Sequence, residues 1–410
     1  MIMLKDRTAL LYILLTFATG LCGSFFYPLS SLFLVEGLGA SPVMLSAYMV
    51  LAVFSSVVVT QFIAHNSDKG WRRKTILLVS FACYFVTVTS FAFIRNYYAA
   101  VAIAILFGSV SGAIYGQIFA MGREYADNKM TEGSTSFLST MRAGMAVAWV
   151  FGPPLAFIFK GWWGFSVTFL IASAITVCTM LTISLFLYEV RDVAQAEQEE
   201  REDANVGTPW YRRPPIVLFT LAMLMTFSAN NLYITVMPLY LSQELVVEAG
   251  WVGTLFGFAA LCEIPIMLGA GWLSLRYGAH RVLTVGLLSG AMFYFGLLHS
   301  AEIWQLMVIQ VFNGVFIGVA ATLGMVVLQD LMRDQLGVAS TLFSNVMQGA
   351  VLVSSLAIGF VGQFYDYFSA FYLCLAGIVI ALVLLWMSRP REERLQSTSA
   401  ELKTVKCKSM

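Results

Sequence analysis

Long apolar runs govern what this chain can become. They fall at about 9–35, 43–64, 75–94, 98–122, 136–159, 164–188, 215–241, 250–275, 282–299, 303–328, 338–363 and 368–388, with few charges inside them. Each is near the roughly 20 residues that a helix needs to cross about 30 Å of hydrocarbon. Lipid offers the backbone no hydrogen-bond partners, so such a run satisfies its own amides by coiling. Of the 410 residues, 59% are hydrophobic and 11% charged, and the mean hydropathy is +0.80. Ordinary soluble domains carry about 25% charge. The spacing therefore predicts an all-α membrane protein of twelve transmembrane helices, with the lipid bilayer as its surroundings.

The remaining composition narrows the function classes. The net charge is +1 and the basic residues are scattered among loops, which leaves no patch for a nucleic-acid partner. Cys22, Cys83, Cys178, Cys262 and Cys374 lie in apolar runs and Cys407 in the polar tail. Their spacing fits neither a disulfide framework nor a metal site, so they read as small packing residues. The first run follows Lys5 and Arg7 and is too long for the apolar core of a signal peptide. A nucleophile paired with a base, or a phosphate-cradling glycine loop, is not found, so an enzyme is not expected and no cofactor is implied.

Charge also sets the topology. Lys69, Arg72, Arg73, Lys74, Arg123, Lys129, Arg212, Arg213, Arg276, Arg281, Arg389, Arg391 and Arg394 fall on one set of alternate loops, and only Arg95 and Lys160 on the other. The positive-inside rule then puts both termini in the cytoplasm. One long polar stretch, from Glu189 to Asn205, reads as a charged linker between two six-helix halves. The expected organisation is 1–188, a cytoplasmic linker over 189–214, a second half over 215–390 and a cytoplasmic tail over 391–410. The halves echo each other at an offset near 207: Tyr27-Pro28-Leu29 against Met237-Pro238-Leu239, Met141-Arg142 against Met347-Gln348, Gly152 against Gly359, and Glu124 against Asp330. Such duplication marks a transporter with its site between the halves.

Candidate site residues are the polar ones inside these runs. Arg142 is a charge within an apolar helix, seven residues before Trp149, which puts guanidinium and indole on one face nearly two turns apart. An arginine there forks two hydroxyl oxygens while a tryptophan stacks on a sugar ring. It can equally snorkel to the interface or tie two helices together. Glu124 reads either as a cargo ligand or as a helix-end charge paired with Arg73. Glu263, before Pro265 in the eighth run, suits a group that takes and releases a proton, or else an interhelical contact. Gln117, Asn230, Asn231, Tyr233, Gln310, Asn313, Asn345 and Gln348 sit on the fourth, seventh, tenth and eleventh runs as cavity lining or as interhelical glue.

Several segments resemble known families. The loops 64–74 and 271–281 resemble the signature loop of the major facilitator superfamily, with Asp68, Arg72, Arg73, Arg276 and Arg281 as gating residues; Ala64 replaces a usual Gly, and Leu275 a usual Asp. This implies the major facilitator fold, two six-helix halves rocking about a central site. Glu124, Arg142 and Trp149 keep the separations, eighteen and seven, of a sugar-binding acid, arginine and tryptophan in the lactose permease family. The histidine and carboxylate of that family's tenth helix have no counterpart in Asn313-Gly314-Val315-Phe316. Gly152-Pro153-Pro154 resembles part of an element of facilitator antiporters.

The widest resemblance, over nearly the whole chain, is to the bacterial sugar efflux transporters. It is carried by Arg123-Glu124-Tyr125-Ala126-Asp127-Asn128, Ala148-Trp149-Val150-Phe151-Gly152-Pro153-Pro154, Glu263-Ile264-Pro265 and Gln329-Asp330-Leu331-Met332. It implies a carrier of the bacterial inner membrane that exports lactose, glucose and small glycosides in exchange for protons; a monomer is expected. The competing expectation is a multidrug exporter of the same fold, favoured by 14% aromatic residues. The soluble segments are too short for a signalling receptor.

Overall fold

A computed structural model describes residues 6–68, 71–129, 134–187, 209–300, 302–332 and 335–388. These residues form twelve long helices. In the first half they are α1 (Arg7–Leu32), α2 (Pro42–Asp68), α3 (Arg73–Phe93), α4 (97–129), α5 (134–163) and α6 (165–186). In the second half they are α7 (Pro214–Leu239), α8 (Ala249–Tyr277), α9 (Ala279–Leu297), α10 (Ile303–Leu331), α11 (Leu336–Phe364) and α12 (Ala370–Met387). Ten continuous helical stretches among the described residues are long and apolar enough to cross a membrane; one of them, Thr140–Phe186, holds both α5 and α6, and the 19-residue α9 is not among the ten. Residues 188–208 and 389–410, most of the expected linker and the tail, lie outside the described residues.

Local chemistry places the ends. The Asp6 carboxylate accepts the Thr8 and Ala9 amides at 2.9 and 3.4 Å and so caps the orphan donors that open α1. Asp6 also accepts the Tyr125 hydroxyl from α4, and that bond holds its carboxyl below the usual range. α5 and α6 are parted by Gly164, whose φ of 77° suits glycine. The turns after α1 and α7 show the duplication in the backbone itself. Each helix carries a late proline and ends in a π-helical turn, Phe33–Gly37 and Tyr240–Glu244. Beyond those turns Gly39 and Val246, 207 apart in sequence, both take a positive φ, of 66° and 51°.

The halves meet along two seams, α2 on α11 and α5 on α8, on the face opposite the termini. In the first, Gly359 and Gly362 of α11 leave room for Ser46 and Pro42 of α2, and the Ser46 hydroxyl donates to the Ser355 carbonyl at 2.6 Å. In the second, Gly253 and Gly257 of α8 receive Pro154 of α5, with the Phe157 and Phe256 rings stacked 6.4 Å apart beside them. Small residues that let backbones approach are the usual basis of helix association in lipid.

Candidate functional site

A cavity of about 400 Å³ lies between the halves, just on the terminal side of both seams. Its size falls within the roughly 300–1,000 Å³ of small-molecule sites. Phe26, Tyr27, Tyr48, Tyr84 and Trp149 give it an aromatic wall; Ser30, Ser31, Ser56, Thr87, Ser111, Asn231, Thr235 and Gln348 give it hydroxyls and amides. Among the described residues, no charged side chain lines it. Tyr27 is 46% exposed although it lies near the end of a spanning helix, because its ring faces this space.

Of the residues singled out in the sequence, Trp149, Asn231 and Gln348 line the cavity, on α5, α7 and α11. Asn231 donates its amide to the Phe227 carbonyl at 2.9 Å, a bond within α7 that fixes its rotamer. Asn230 is half-buried beside it and lies off the cavity wall. Tyr233 points into the second half, where its hydroxyl accepts Gln310 Nε2 at 2.9 Å, and Gln310 Oε1 in turn accepts Asn313 Nδ2 at 2.9 Å. All three are buried, so in this conformation they tie α7 to α10. Gln117 is likewise buried, and its Oε1 accepts the Ser67 hydroxyl at 3.2 Å between α4 and α2.

The charged candidates lie at the margins. Glu124 pairs with Arg73 Nε at 2.5 Å, linking α4 to α3 at the terminal face. Arg142 is exposed on α5, about 10 Å along the axis from Trp149. Glu263 is half-buried on α8 and outside the cavity wall. Its backbone lies against α10: a Cβ on Gly314 would meet Cys262 Cβ at 2.6 Å and Glu263 N at 3.0 Å, and one on Gly318 the Glu263 carbonyl at 3.1 Å. In the loops, Arg72 is exposed at the cap of α3, and Arg281 is exposed in the first turn of α9. Arg276 is bracketed by the Trp272 and Tyr277 rings, 5.8 and 5.5 Å from its guanidinium carbon. Asp68 ends α2, and its side chain lies outside the described residues.

Phenols on α1, α2 and α3, none of them a candidate by sequence, make much of the wall. Their signal was present: Tyr48 and Ser56 stand eight apart on α2, two turns along one face, with Ala52 between them.

The comparisons with known proteins agree with this architecture. A sequence model of the Major Facilitator Superfamily matches residues 8–246 and again 219–409. The protein named sugar efflux transporter A of Escherichia coli (strain K12) is 35% identical over 376 residues, covering 91% of this chain and 94% of that protein. Its namesake in Dickeya chrysanthemi is 33% identical, over 94% of this chain and 97% of the relative.

The chain belongs to the sugar efflux transporter family of the major facilitator superfamily. It is thus a multi-pass membrane transporter and not an enzyme. Among solved structures, that of nucleoside transporter NupG superposes with a TM-score of 0.76 at 12% identity, covering 94% of this chain and 100% of that one. Peptide transporter POT in complex with sulfate superposes with a TM-score of 0.70 at 13% identity, covering 92% and 93%. Identities so low speak for the fold alone. The cavity between the halves is accordingly the candidate site of this carrier.

Proposed function

We propose that the carrier exports neutral sugars, among them glucose, lactose and small glycosides, from the cytoplasm by alternating access and in exchange for protons. The cavity wall carries this reading: aromatic faces lie among hydroxyls and amides, and among the described residues no charged side chain lines it. A sugar ring has apolar faces to stack and hydroxyls all round to bond, and Trp149 with Asn231 and Gln348 answers both. The relatives named as sugar efflux transporters support the same class. Among the described residues a lipophilic cation would find no carboxylate in that wall, which weighs against the multidrug alternative.

The seams on the face opposite the termini make this an inward-facing conformation, if both termini are cytoplasmic as the basic loops indicate. On that reading the protein sits in the bacterial inner membrane and acts as a monomer. Glu263 is the proposed proton site. It shares α8 with Gly253 and Gly257, so a proton there acts on the helix that closes the cavity. Arg142 lies on the terminal side of Trp149, where it would meet cargo as it enters.

Counterflow of labelled glucose and lactose in proteoliposomes, with and without a pH gradient, tests the proposal. Exchange of sugar that a gradient accelerates is the expected result, with loss of about tenfold or more when Trp149 becomes Ala. A carrier that exchanges no sugar, or one indifferent to both Trp149→Phe and Arg142→Lys, would lack the proposed site.

A further inference from the structure

Gly23 stands on α1 one turn before Tyr27. A methyl group built on it would overlap the Tyr115 hydroxyl oxygen from α4 and would lie 3.3 Å from the Tyr27 ring. Only a residue without a side chain lets the Tyr115 phenol lie across the α1 backbone at this point. The phenol reaches a small cavity of about 10 Å³, which shares Tyr27, Tyr84 and Ser111 with the large one. A space of that order holds about one water-sized group.

Three of the hydroxyls around it are already committed, and those of Tyr27 and Tyr115 are not. Tyr84 donates to the Cys22 carbonyl at 2.6 Å, Ser111 to the Gly108 carbonyl at 2.6 Å and Thr19 to the Leu15 carbonyl at 2.7 Å. Tyr115 makes no hydrogen bond to any described residue. Tyr115 is half-buried and its hydroxyl borders this space, so it is free to bond a polar group of a guest that enters.

We propose that Tyr115 is a cargo-binding residue whose hydroxyl bonds one hydroxyl of a sugar held in the large cavity, through the gap that Gly23 leaves beside Tyr27 and Tyr84. The inference rests on the reading of the carrier as a sugar exporter. Gly23 acts as a positioning residue: alanine there pushes the phenol off its line without removing it. A wall that bonds a particular hydroxyl also rejects analogues lacking it, because the protein group is then left unpaired.

The test is competition of glucose and its monodeoxy analogues, or of lactose and its analogues if glucose does not bind, against labelled sugar on the full-length carrier in liposomes. In the wild type one deoxy position should bind more weakly than the parent. Tyr115→Phe should weaken the parent by about 3- to 10-fold. The same variant should leave that deoxy analogue unchanged, since the two deletions remove one bond and do not add. Gly23→Ala should show the same blindness to that position, and Gly23→Ala combined with Tyr115→Phe should bind no worse than Gly23→Ala alone. An equal loss across every analogue in Tyr115→Phe, or no loss at all, overturns the assignment while the sugar reading stands. A wild type that binds no sugar overturns both.

Discussion

Gly253→Ala should open the carrier on the face opposite its termini. A Cβ at Gly253 would come within 2.7 Å of Pro154 Cα, 2.9 Å of the Pro154 carbonyl oxygen and 3.1 Å of Phe157 Cβ. The first two of these are backbone atoms, which cannot step aside as a flexible side-chain end would. Overpacking of this kind costs about 1–3 kcal/mol. The cost falls only on the conformation in which α5 and α8 are packed there; once they part, the added methyl meets nothing. At 1.4 kcal/mol per tenfold, the ratio of parted to packed carriers should rise by about 5- to 150-fold. A single cysteine at Ile234, which lines the cavity, reports the change in a carrier otherwise free of cysteine. An impermeant thiol reagent applied from that face of intact cells should label Ile234→Cys faster by a factor in that range, until the open state dominates. Labelling within twofold of the parent rate, in a carrier that is still labelled from the terminal face, would refute the idea that this contact is the seal.

Three further outcomes separate the roles of the carboxylates. Glu263→Gln should abolish the response of sugar exchange to a pH gradient while keeping equilibrium sugar affinity within about threefold, since Glu263 lies off the cavity wall. Retained acceleration by the gradient would place the proton elsewhere. Glu124→Gln breaks a partly exposed ion pair with Arg73, worth about 1 kcal/mol or less. A small fall in Tm with unchanged sugar affinity is expected, and a tenfold loss of affinity would bring Glu124 back into the cargo site. Asp6→Ala removes the cap of α1 at a cost of about 1 kcal/mol. Because the folded carboxyl titrates below its unfolded value, its stabilisation is complete above about pH 5 and fades as pH falls below about 4. The gap in Tm between Asp6→Ala and wild type should therefore be widest at neutral pH and close in acid.

The fold was legible because the membrane makes a strong demand that sequence meets plainly. Apolar length, loop charge and the repeat near 207 led to twelve helices in two halves, and even the matched positive φ of Gly39 and Val246 follows that repeat. The site was legible only in part. Polar residues stand out against apolar helices whichever way they point: Trp149, Asn231 and Gln348 line the cavity, while Tyr233, Gln117 and Asn313 make bonds on faces turned to neighbouring side chains. A side chain's direction depends on helix rotation, which uniformly apolar surroundings leave unmarked. The phenols Tyr27, Tyr48 and Tyr84 were overlooked for the converse reason: tyrosine is common in membrane helices and says little until its neighbours are known.

The separation of charge from cavity bears on how coupling can work. Direct competition between a proton and a sugar needs a carboxylate or imidazole in the cargo site, and neither lines the cavity among the described residues. Glu263 instead lies where α8 crosses the notch made by Gly314 and Gly318 of α10, on the same helix as the Gly253 and Gly257 seam. Six residues separate Glu263 from Gly257, about 9 Å along the axis. A charge that appears or disappears there changes how well α8 seats on α10, and a small tilt of α8 is felt at Pro154, where close packing leaves no slack. Coupling of this form links the proton to the opening of the cavity and only through it to the sugar. Under the proposed coupling a neutral wall would suffice: the cargo need not be told from a proton at the site, because each would act on a different stretch of one closing apparatus.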